Sequence, residues 1–349
     1  MPSHLIFLGT YTKNGSRGIY AVRLDGATGA LSPPTIAAET PNPAWITLSP
    51  DKKFLYAIHA SQAQAVGFSV DATRAQLSPL PATPSPAAQP PAHLAVDASG
   101  RTLIAANYRE GYVASMPIGA DGSLGAPTAI KHTGQGPNPT RQDKSYVHSV
   151  TLSPDNRFAV VCDLGLDKIF TYALDPATAQ LTPANPPWVA TAPGAGPRHF
   201  KFGVDGKHAY ALNEINNTVA AYDYDATRGA LTPRQTLPTL PADFKGETTS
   251  AEVRVHPNGK FLYSSNRGHD SLAVFAIATT GLLTPVEIVP SGGKVPRNFA
   301  FSPDGTWLVC AHQDSNNLTV FRVDASTGRL TRTAHTANVP AAVCMLFYD

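Results

Sequence analysis

The segment "YALNEINNTVAAYDYDATRGALTP", residues 210–233, contains two short apolar runs separated by polar turn residues. The first run ends at the polar residue Asn213, and the second reaches the aromatic residue Tyr222 before the turn sequence "DATRGALTP" begins. Short apolar runs bounded by Asn, Asp, Gly and Pro are typical of β-strands joined by turns. The segment therefore predicts two adjacent antiparallel strands, with the aromatic residue in the core.

The same pattern occurs seven times along the chain. Subtracting the positions of neighbouring strand-ending polar residues gives spacings of 49, 48, 56, 50, 53 and 46 residues. A further strand and turn, such as "WITLSPDKK" or "NFAFSPDGT", precedes six of the copies, and the chain ends in "PAAVCMLFYD", which has the strand without the turn. The seven polar residues are Thr10, His59, Asn107, Asp163, Asn213, Asn266 and His312.

This repeat predicts an all-β fold, a seven-bladed β-propeller with four antiparallel strands in each blade. We expect the C-terminal strand, residues 341–348, to pair with the N-terminal strand, residues 4–10, inside one blade. That pairing closes the ring and leaves no free sheet edge at the junction. Because the repeat runs through the whole chain, we expect residues 1–349 to form a single domain, although the length alone would suggest two.

The composition argues against several classes of partner. A formal net charge of +2 gives no reason to expect a nucleic acid or an anionic membrane. The N-terminus lacks a basic segment followed by a long apolar stretch, and no apolar run has the length of a membrane span. Cys162, Cys310 and Cys344 lie in apolar, strand-like runs as expected for reduced core thiols. We therefore expect a cytoplasmic protein.

Charged residues gather where the innermost strand of a blade starts and the second strand ends. In an antiparallel blade these two places lie at the same face, so their side chains converge on one mouth of the central channel. Arg198-His199 opens an innermost strand, and Asn213-Glu214 closes the strand that follows. Leaving one such charge buried and unpaired would cost about 3–5 kcal/mol. We therefore expect a solvated pocket in which guanidinium groups bind an anionic ligand.

The residues that we expect to contact substrate occupy these strand ends or the loop 131–147, which enters at the same face. This loop and the loop 239–250 exceed the repeat length, and such loops often form lids. Structural alternatives remain, because Asn and Asp can cap turns and His59, His93 and His312 can be hydrogen-bonded framework residues. The expected substrate-binding residues are His199, Glu252, Arg297, Arg141, Asn107, Tyr108, Tyr11 and Gln313.

Four segments together resemble the lactonase family of seven-bladed propellers, and the resemblance covers essentially the whole chain. They are "GQGPNPTRQDKSYVHSVTLSPDNRFAVVCDLGLDK", "GAGPRHFKF…YALNEINNTV", "SAEVRVHPNGKFLYSSNRGHDSLAVF" and "VPRNFAFSPDGTWLVCAHQDSNNLTVF". The resemblance implies an active site at one channel mouth that contains His148, Arg198, Glu214 and Arg267 as catalytic residues. Relatives often have a second His two residues before the position of His148, where this chain has Tyr146, so a proton-transfer role of that His does not carry over.

The family contains both hydrolases and a cycloisomerase, so the resemblance leaves the reaction open. It implies first the hydrolysis of a sugar lactone such as 6-phosphoglucono-1,5-lactone. His148 or Glu214 would be the general base, with a pKa near neutrality, and Arg198 and Arg267 would hold the oxyanion or the phosphate. The alternatives are a lactonizing cycloisomerase that acts on a carboxylated muconate and a non-catalytic binding platform.

Other catalytic chemistries lack their sequence signals. The chain contains no "HExxH", no "GxSxG" and no P-loop. Glu214, Asn107 or Asp163 would be the ligands of a divalent cation, but carboxylates are sparse and flanked by arginines. We therefore expect neither a metal nor another cofactor, and a small anionic lactone as the partner.

Overall fold

The strands of the computed structural model, which describes residues 3–59, 64–81 and 91–348, form seven four-stranded antiparallel sheets. Six sheets consist of consecutive strands. From the inner to the outer strand they are β4 (Ile46–Leu48), β5 (Phe54–His59), β6 (Gln64–Asp71) and β7 (Gln76–Pro79); β8 (His93–Val96), β9 (Thr102–Asn107), β10 (Tyr112–Pro117) and β11 (Thr128–Lys131); β12 (Val147–Leu152), β13 (Phe158–Asp163), β14 (Lys168–Asp175) and β15 (Gln180–Ala190); β16 (Pro197–Phe202), β17 (His208–Asn213), β18 (Thr218–Asp225) and β19 (Ala230–Pro238); β20 (Thr249–Val255), β21 (Phe261–Arg267), β22 (Ser271–Ile277) and β23 (Leu283–Pro290); and β24 (Pro296–Phe301), β25 (Trp307–His312), β26 (Asn317–Val323) and β27 (Leu330–Asn338).

The seventh sheet joins the two ends of the chain. Its strands, from inside to outside, are β28 (Ala342–Phe347), β1 (Ser3–Thr10), β2 (Gly18–Asp25) and β3 (Thr35–Glu39). The antiparallel register runs from Ile6 opposite Phe347 to Thr10 opposite Ala342. The inner strands contact one another in a closed circle, because β28 contacts both β24 and β4. The predicted seven-bladed propeller and its closure by the C-terminal strand are confirmed.

The hydrophobic core lies between neighbouring blades. One cluster, for example, joins Tyr210 and Leu212 of β17 to Val253 of β20 and Leu262 of β21. The second strand of a blade is therefore packed on both faces, which explains why strands such as β9 and β13 are fully buried and nearly continuous apolar runs. The residues at the predicted core position of the repeat are all buried, and they are Tyr20, Phe68, Met116, Tyr172, Tyr222, Phe275 and Phe321. The described part of the chain holds no helix with the length and hydropathy of a transmembrane span.

A β-bulge near the start of several inner strands changes which side chains face the channel. The register of β16 against β17 passes from Pro197 opposite Asn213 to His199 opposite Leu212, so Arg198 is an extra residue. His148 in β12, Arg297 in β24 and Val343 in β28 are extra residues in the same way. An extra residue bends the strand and redirects its side chain. Two consecutive residues, Arg198 and His199, consequently both border the channel cavity.

Candidate active site

One mouth of the channel opens into a cavity of about 590 Å³. Its wall is built from the starts of inner strands, the ends of second strands and the loop 131–147. Among the residues selected from the sequence, the structure brings nine together there, which are Tyr11, Tyr108, Arg141, His148, Arg198, His199, Glu214, Arg267 and Arg297. These residues come from several blades, so only the closed ring places them side by side.

The Glu214 carboxylate lies at the centre of a cluster of guanidinium groups. Its Oε2 atom accepts hydrogen bonds from Arg198 Nε at 2.8 Å and pairs with Arg267 Nη2 at 3.0 Å, and its Oε1 atom binds Arg141 Nη2. Glu214 is only 5% exposed. Burial alone would raise the pKa of this carboxyl, but the charges of Arg267 and Arg198 hold it far below its ordinary value. Glu214 therefore stays ionised.

Arg198 is held from several directions. Its side chain is 3% exposed, and its Nη1 group donates to the Ala251 carbonyl and to His199 Nε2, the latter at 3.1 Å. Burial and the charges of Arg267 and Arg297 lower the pKa of Arg198 to about 9, so its guanidinium remains charged at neutral pH. Nη2 makes no hydrogen bond within the described ranges, and Arg198 borders the cavity.

A buried pair beneath Arg198 fixes its orientation. A guanidinium only donates hydrogen bonds, so His199 Nε2 is the acceptor in its contact with Arg198 and the ring hydrogen lies on Nδ1. Nδ1 donates to Glu252 Oε1 at 3.1 Å. Glu252 is fully buried, binds the Val253 amide and Asn298, and does not border the cavity. The expectation that Glu252 contacts substrate is therefore wrong, because this carboxylate is one layer below and supports His199.

His148 borders the cavity beside Glu214. Its Nε2 atom lies 4.0 Å from Glu214 Oε2, and its Nδ1 atom is buried without a hydrogen-bond partner in the described structure. Burial and the charge of Arg198 lower the pKa of His148 well below its ordinary value. The imidazole is therefore neutral at pH 7. The sequence suggested a pKa near neutrality for both His148 and Glu214, but burial and the charge of Arg198 lower the pKa of His148, and the charges of Arg267 and Arg198 outweigh burial and lower that of Glu214.

Besides Glu252, two further expected substrate-binding residues lie outside the cavity wall. The Asn107 side chain donates to Tyr112 Oη at 3.0 Å and accepts from the Glu110 amide at 3.1 Å, so it caps the turn after β9. Gln313 donates to Asp314 Oδ1 at 2.9 Å. Neither residue borders the cavity. Asn107 is therefore a turn-capping residue, which was the structural alternative for Asn and Asp at strand ends. Its short amide side chain binds the backbone of its own turn.

The two long loops differ in what they contribute. The loop 131–147 places Thr140, Arg141, Lys144 and Tyr146 on the wall, whereas the loop 239–250 contributes no wall residue within the described chain. The second loop supports the site indirectly, since the Ser250 carbonyl accepts a hydrogen bond from Arg267 Nη2 at 3.0 Å. Of the two loops expected to form lids, the loop 131–147 therefore contributes residues to the cavity wall, and the loop 239–250 does not.

Sequence reasoning missed several wall residues. Trp45 occupies the same strand-start position as His199, and its ring stacks on His93 at a centroid distance of 3.9 Å. Tyr146 lies two residues before His148, and the centroid of its ring is 4.7 Å from that of Tyr108. Arg109 and Lys144 form the exposed outer rim. Trp45 could have been found from its position in the repeat, whereas Arg109 and Lys144 follow no repeat signal.

The polar groups of the cavity favour anion binding over metal binding. The described residues contain no group of three or more His, Cys, Asp or Glu side chains that could hold a metal ion. Glu214, the carboxylate on the wall, already binds three guanidinium groups. The site is therefore equipped with donors for an oxyanion or a phosphate.

Comparisons with known proteins cover nearly the whole chain. A family model described as "Lactonase, 7-bladed beta-propeller" matches residues 5–347. The chain is 36% identical over 355 residues to a 6-phosphogluconolactonase of Bacillus subtilis, covering 99% of each sequence. It is 32% identical to a 6-phosphogluconolactonase of Formosa agariphila, covering 93% of this chain and 94% of that one. The solved structure of a periplasmic gluconolactonase from Pseudomonas aeruginosa is 33% identical, with a TM-score of 0.92 and 99% coverage of both chains.

Proposed function

Because the chain belongs to the seven-bladed β-propeller family of lactonases, we propose that it hydrolyses 6-phosphoglucono-1,5-lactone in the arginine-rich cavity. The lactonase class follows from the family and from relatives named 6-phosphogluconolactonase. The choice of a phosphorylated substrate and the roles of individual residues are the proposal. The cytoplasmic location also stays a prediction, since one similar structure is that of a periplasmic enzyme.

The charge balance of the cavity carries this proposal. Among the described residues of the wall there are six cationic side chains and one carboxylate, that of Glu214, which leaves five positive charges when the histidines are neutral. A neutral sugar lactone would compensate none of them, whereas a phosphate monoester brings about two negative charges at neutral pH. Charge-assisted hydrogen bonds from guanidinium to phosphate are among the strongest that proteins form. The cationic side chains are Arg109, Arg141, Lys144, Arg198, Arg267 and Arg297.

Hydrolysis needs a base for water and donors for the carbonyl oxygen. In the proposed reaction His148 accepts a proton from water, the water oxygen bonds to C1, and negative charge develops on the former carbonyl oxygen. Arg198 Nη2 donates to that oxygen. When the bond from C1 to the ring oxygen breaks, His148 returns the proton to the ring oxygen, and the product acid later loses a proton to solvent.

Glu214 has a positioning role in this scheme. Because its pKa is far below the ordinary value, its carboxylate is a weak base at neutral pH. It instead holds Arg198 and Arg267 in one orientation through the two contacts to Oε2. The charge of Arg198 is a cause of the lowered pKa of His148. A bound dianion would offset that charge and raise the pKa of His148 toward the working pH.

The test is a hydrolysis assay with the substitution Arg198→Ala. We expect kcat for 6-phosphoglucono-1,5-lactone to fall by about 10²–10³, as for the loss of one oxyanion donor. Acid release above spontaneous hydrolysis is measured on phosphorylated and unphosphorylated lactones, and loss of carboxymuconate is followed separately, because its lactonization releases no acid. Arg157→Ala is the matched control, because Arg157 is 57% exposed in the turn between β12 and β13, at the other end of the blade. A near-wild-type rate for Arg198→Ala, or turnover of the muconate alone, would reject the proposal.

A further inference from the structure

Arg297 differs from the three arginines that bind Glu214. Arg141, Arg198 and Arg267 each have a contact to that carboxylate. For Arg297 the described structure shows no hydrogen bond and no ion pair, and its guanidinium lies 5.6 Å from the centroid of the Tyr11 ring. The ring covers part of the planar group and provides no anion. Arg297 therefore keeps its hydrogen-bond donors for something outside the protein.

The backbone directs Arg297 into the cavity. It is the extra residue of the bulge in β24, between Pro296 opposite His312 and Asn298 opposite Ala311. Arg198 occupies the same bulge position in β16. Both side chains border the cavity. The same bulge in these two blades therefore places two guanidinium groups at the same mouth of the channel.

Arg297 also lies within electrostatic range of the reacting groups. Its positive charge contributes to the lowered pKa of Arg198, of Arg267 and of His148. The negative charge of Glu214 partly neutralises Arg198 and Arg267, whereas Arg297 has no acidic partner in the described residues. A half-buried cation with no counterion beside other cations is unfavourable until an anion binds.

The substrate needs two separate cationic groups. In 6-phosphoglucono-1,5-lactone the phosphate on C6 and the reacting carbonyl at C1 are distinct groups, attached on either side of the ring oxygen. The carbonyl oxygen gains only a transient charge, which suits arginines whose charge is partly neutralised by Glu214. The phosphate carries a permanent double charge, which suits an arginine without a partner.

We propose that Arg297, backed by the Tyr11 ring, is the phosphate-binding residue of the cavity and selects phosphorylated over unphosphorylated sugar lactones. This inference rests on the proposed lactone hydrolysis. It assigns Arg297 to specificity and leaves the chemical step to His148 and Arg198. The exposed rim residues Arg109 and Lys144 attract the anion without fixing it, because exposed charges are screened by salt.

The experiment compares Arg297→Gln with wild type on 6-phosphoglucono-1,5-lactone and on glucono-1,5-lactone. Loss of one charge-assisted contact should lower kcat/KM for the phosphorylated lactone about 10- to 100-fold, mainly through KM. On the level part of the pH profile we expect kcat/KM for the unphosphorylated lactone to change much less, because this substrate has no phosphate for Arg297 to bind. Because both substrates are measured on the same preparation, the ratio of the two values does not depend on the fraction of folded enzyme. Arg157→Gln, which removes an exposed arginine charge outside the cavity in the turn between β12 and β13, is the matched control and should keep the wild-type ratio.

A second readout does not need turnover. Inorganic phosphate should raise the melting temperature of the wild-type protein, because it binds the folded state, and this shift should be smaller for Arg297→Gln than for Arg157→Gln. If the ratio of the two kcat/KM values is unchanged in Arg297→Gln, whether or not both values fall, the assignment of Arg297 is overturned while lactone hydrolysis stands. A wild-type protein that turns over no lactone would overturn the proposed function itself.

Discussion

Glu214 shows how the cavity sets the protonation states of its residues. Three guanidinium groups surround this carboxylate, and the same charges act on the neighbouring His148. The sequence predicted that these residues would meet, because they occupy equivalent ends of strands in a repeat. It could not predict their pKa values, which depend on distances between side chains from different blades. The proposed division between a base, His148, and a positioning carboxylate, Glu214, thus needs the three-dimensional structure.

The lowered pKa of His148 predicts the pH dependence of the reaction. A histidine whose pKa is lowered stays in its unprotonated, base-competent form at pH 6.5 and loses that form only when the pH falls further. We therefore expect kcat/KM, which reports the free enzyme, to stay level from about pH 7.5 down past the ordinary histidine value and to fall at lower pH. The measurement is kcat/KM across this range, corrected for spontaneous hydrolysis.

Two variants make the pH profile decisive. Arg297→Gln removes a charge that lowers the pKa of His148, so the fall in kcat/KM should begin at a higher pH. His148→Gln should lower the rate and remove the pH-dependent step. If wild type already loses activity at or above pH 6.5, or if His148→Gln keeps the step, another group is the base.

At the scale of elements, bulges and strand-end residues decide which side chains reach the cavity. The repeat predicted the inner strands and their start positions, but not the bulges that make His148, Arg198 and Arg297 extra residues. A bulge depends on the register between two strands and leaves no simple mark in one of them. The repeat also could not separate capping residues such as Asn107 from cavity residues such as Glu214, since both lie at the end of the second strand of a blade.

Asp163, at the end of β13, anchors the loop that carries Arg141 and Tyr146. Its carboxylate is fully buried and accepts hydrogen bonds from His132 Nδ1 at 2.8 Å, Ser145 Oγ at 2.6 Å and the Tyr146 amide at 2.9 Å. Asp163→Ala leaves these donors without their acceptor, at about 1–3 kcal/mol for each buried donor. We expect a lower melting temperature, faster amide hydrogen exchange in residues 131–147 and a higher KM, because Arg141 loses its fixed position.

The control for this prediction is the same substitution at the other end of the blade. Asp155→Ala removes a carboxylate that binds Ser153 Oγ and the Arg157 amide in the turn between β12 and β13. Hydrogen exchange in residues 131–147 and KM should stay at their wild-type values in this variant. Equal exchange rates in the two variants would show that Asp163 does not anchor the loop.

At the scale of the whole molecule, the closed ring is what brings the cavity residues together. The sequence predicted this closure from one asymmetry, an apolar C-terminal strand without the following turn. In the structure Met345 of β28 packs in one cluster with Leu8 of β1 and with Val309 and Val320 of the last blade. The junction is therefore a hydrophobic core between the two chain ends as well as a strand pairing. Cavity residues from Tyr11 to Arg297 depend on it for their common location.

Removal of residues 342–349 tests the energetic weight of this junction. The deletion exposes the edge of β1. It also removes the buried side chains of Val343, Cys344 and Met345, which are at most 2% exposed, from the hydrophobic core. Burying one large apolar side chain contributes about 1.5–3 kcal/mol, and the whole stability of a domain is about 5–15 kcal/mol. We expect the shortened chain to lose its cooperative thermal transition and its lactonase activity together, because the first and last blades no longer meet. A chain lacking only Asp349 is the control and should melt like the full chain. If the chain without residues 342–349 still melts cooperatively within a few degrees of the full chain and stays active, the last strand does not hold the ring closed.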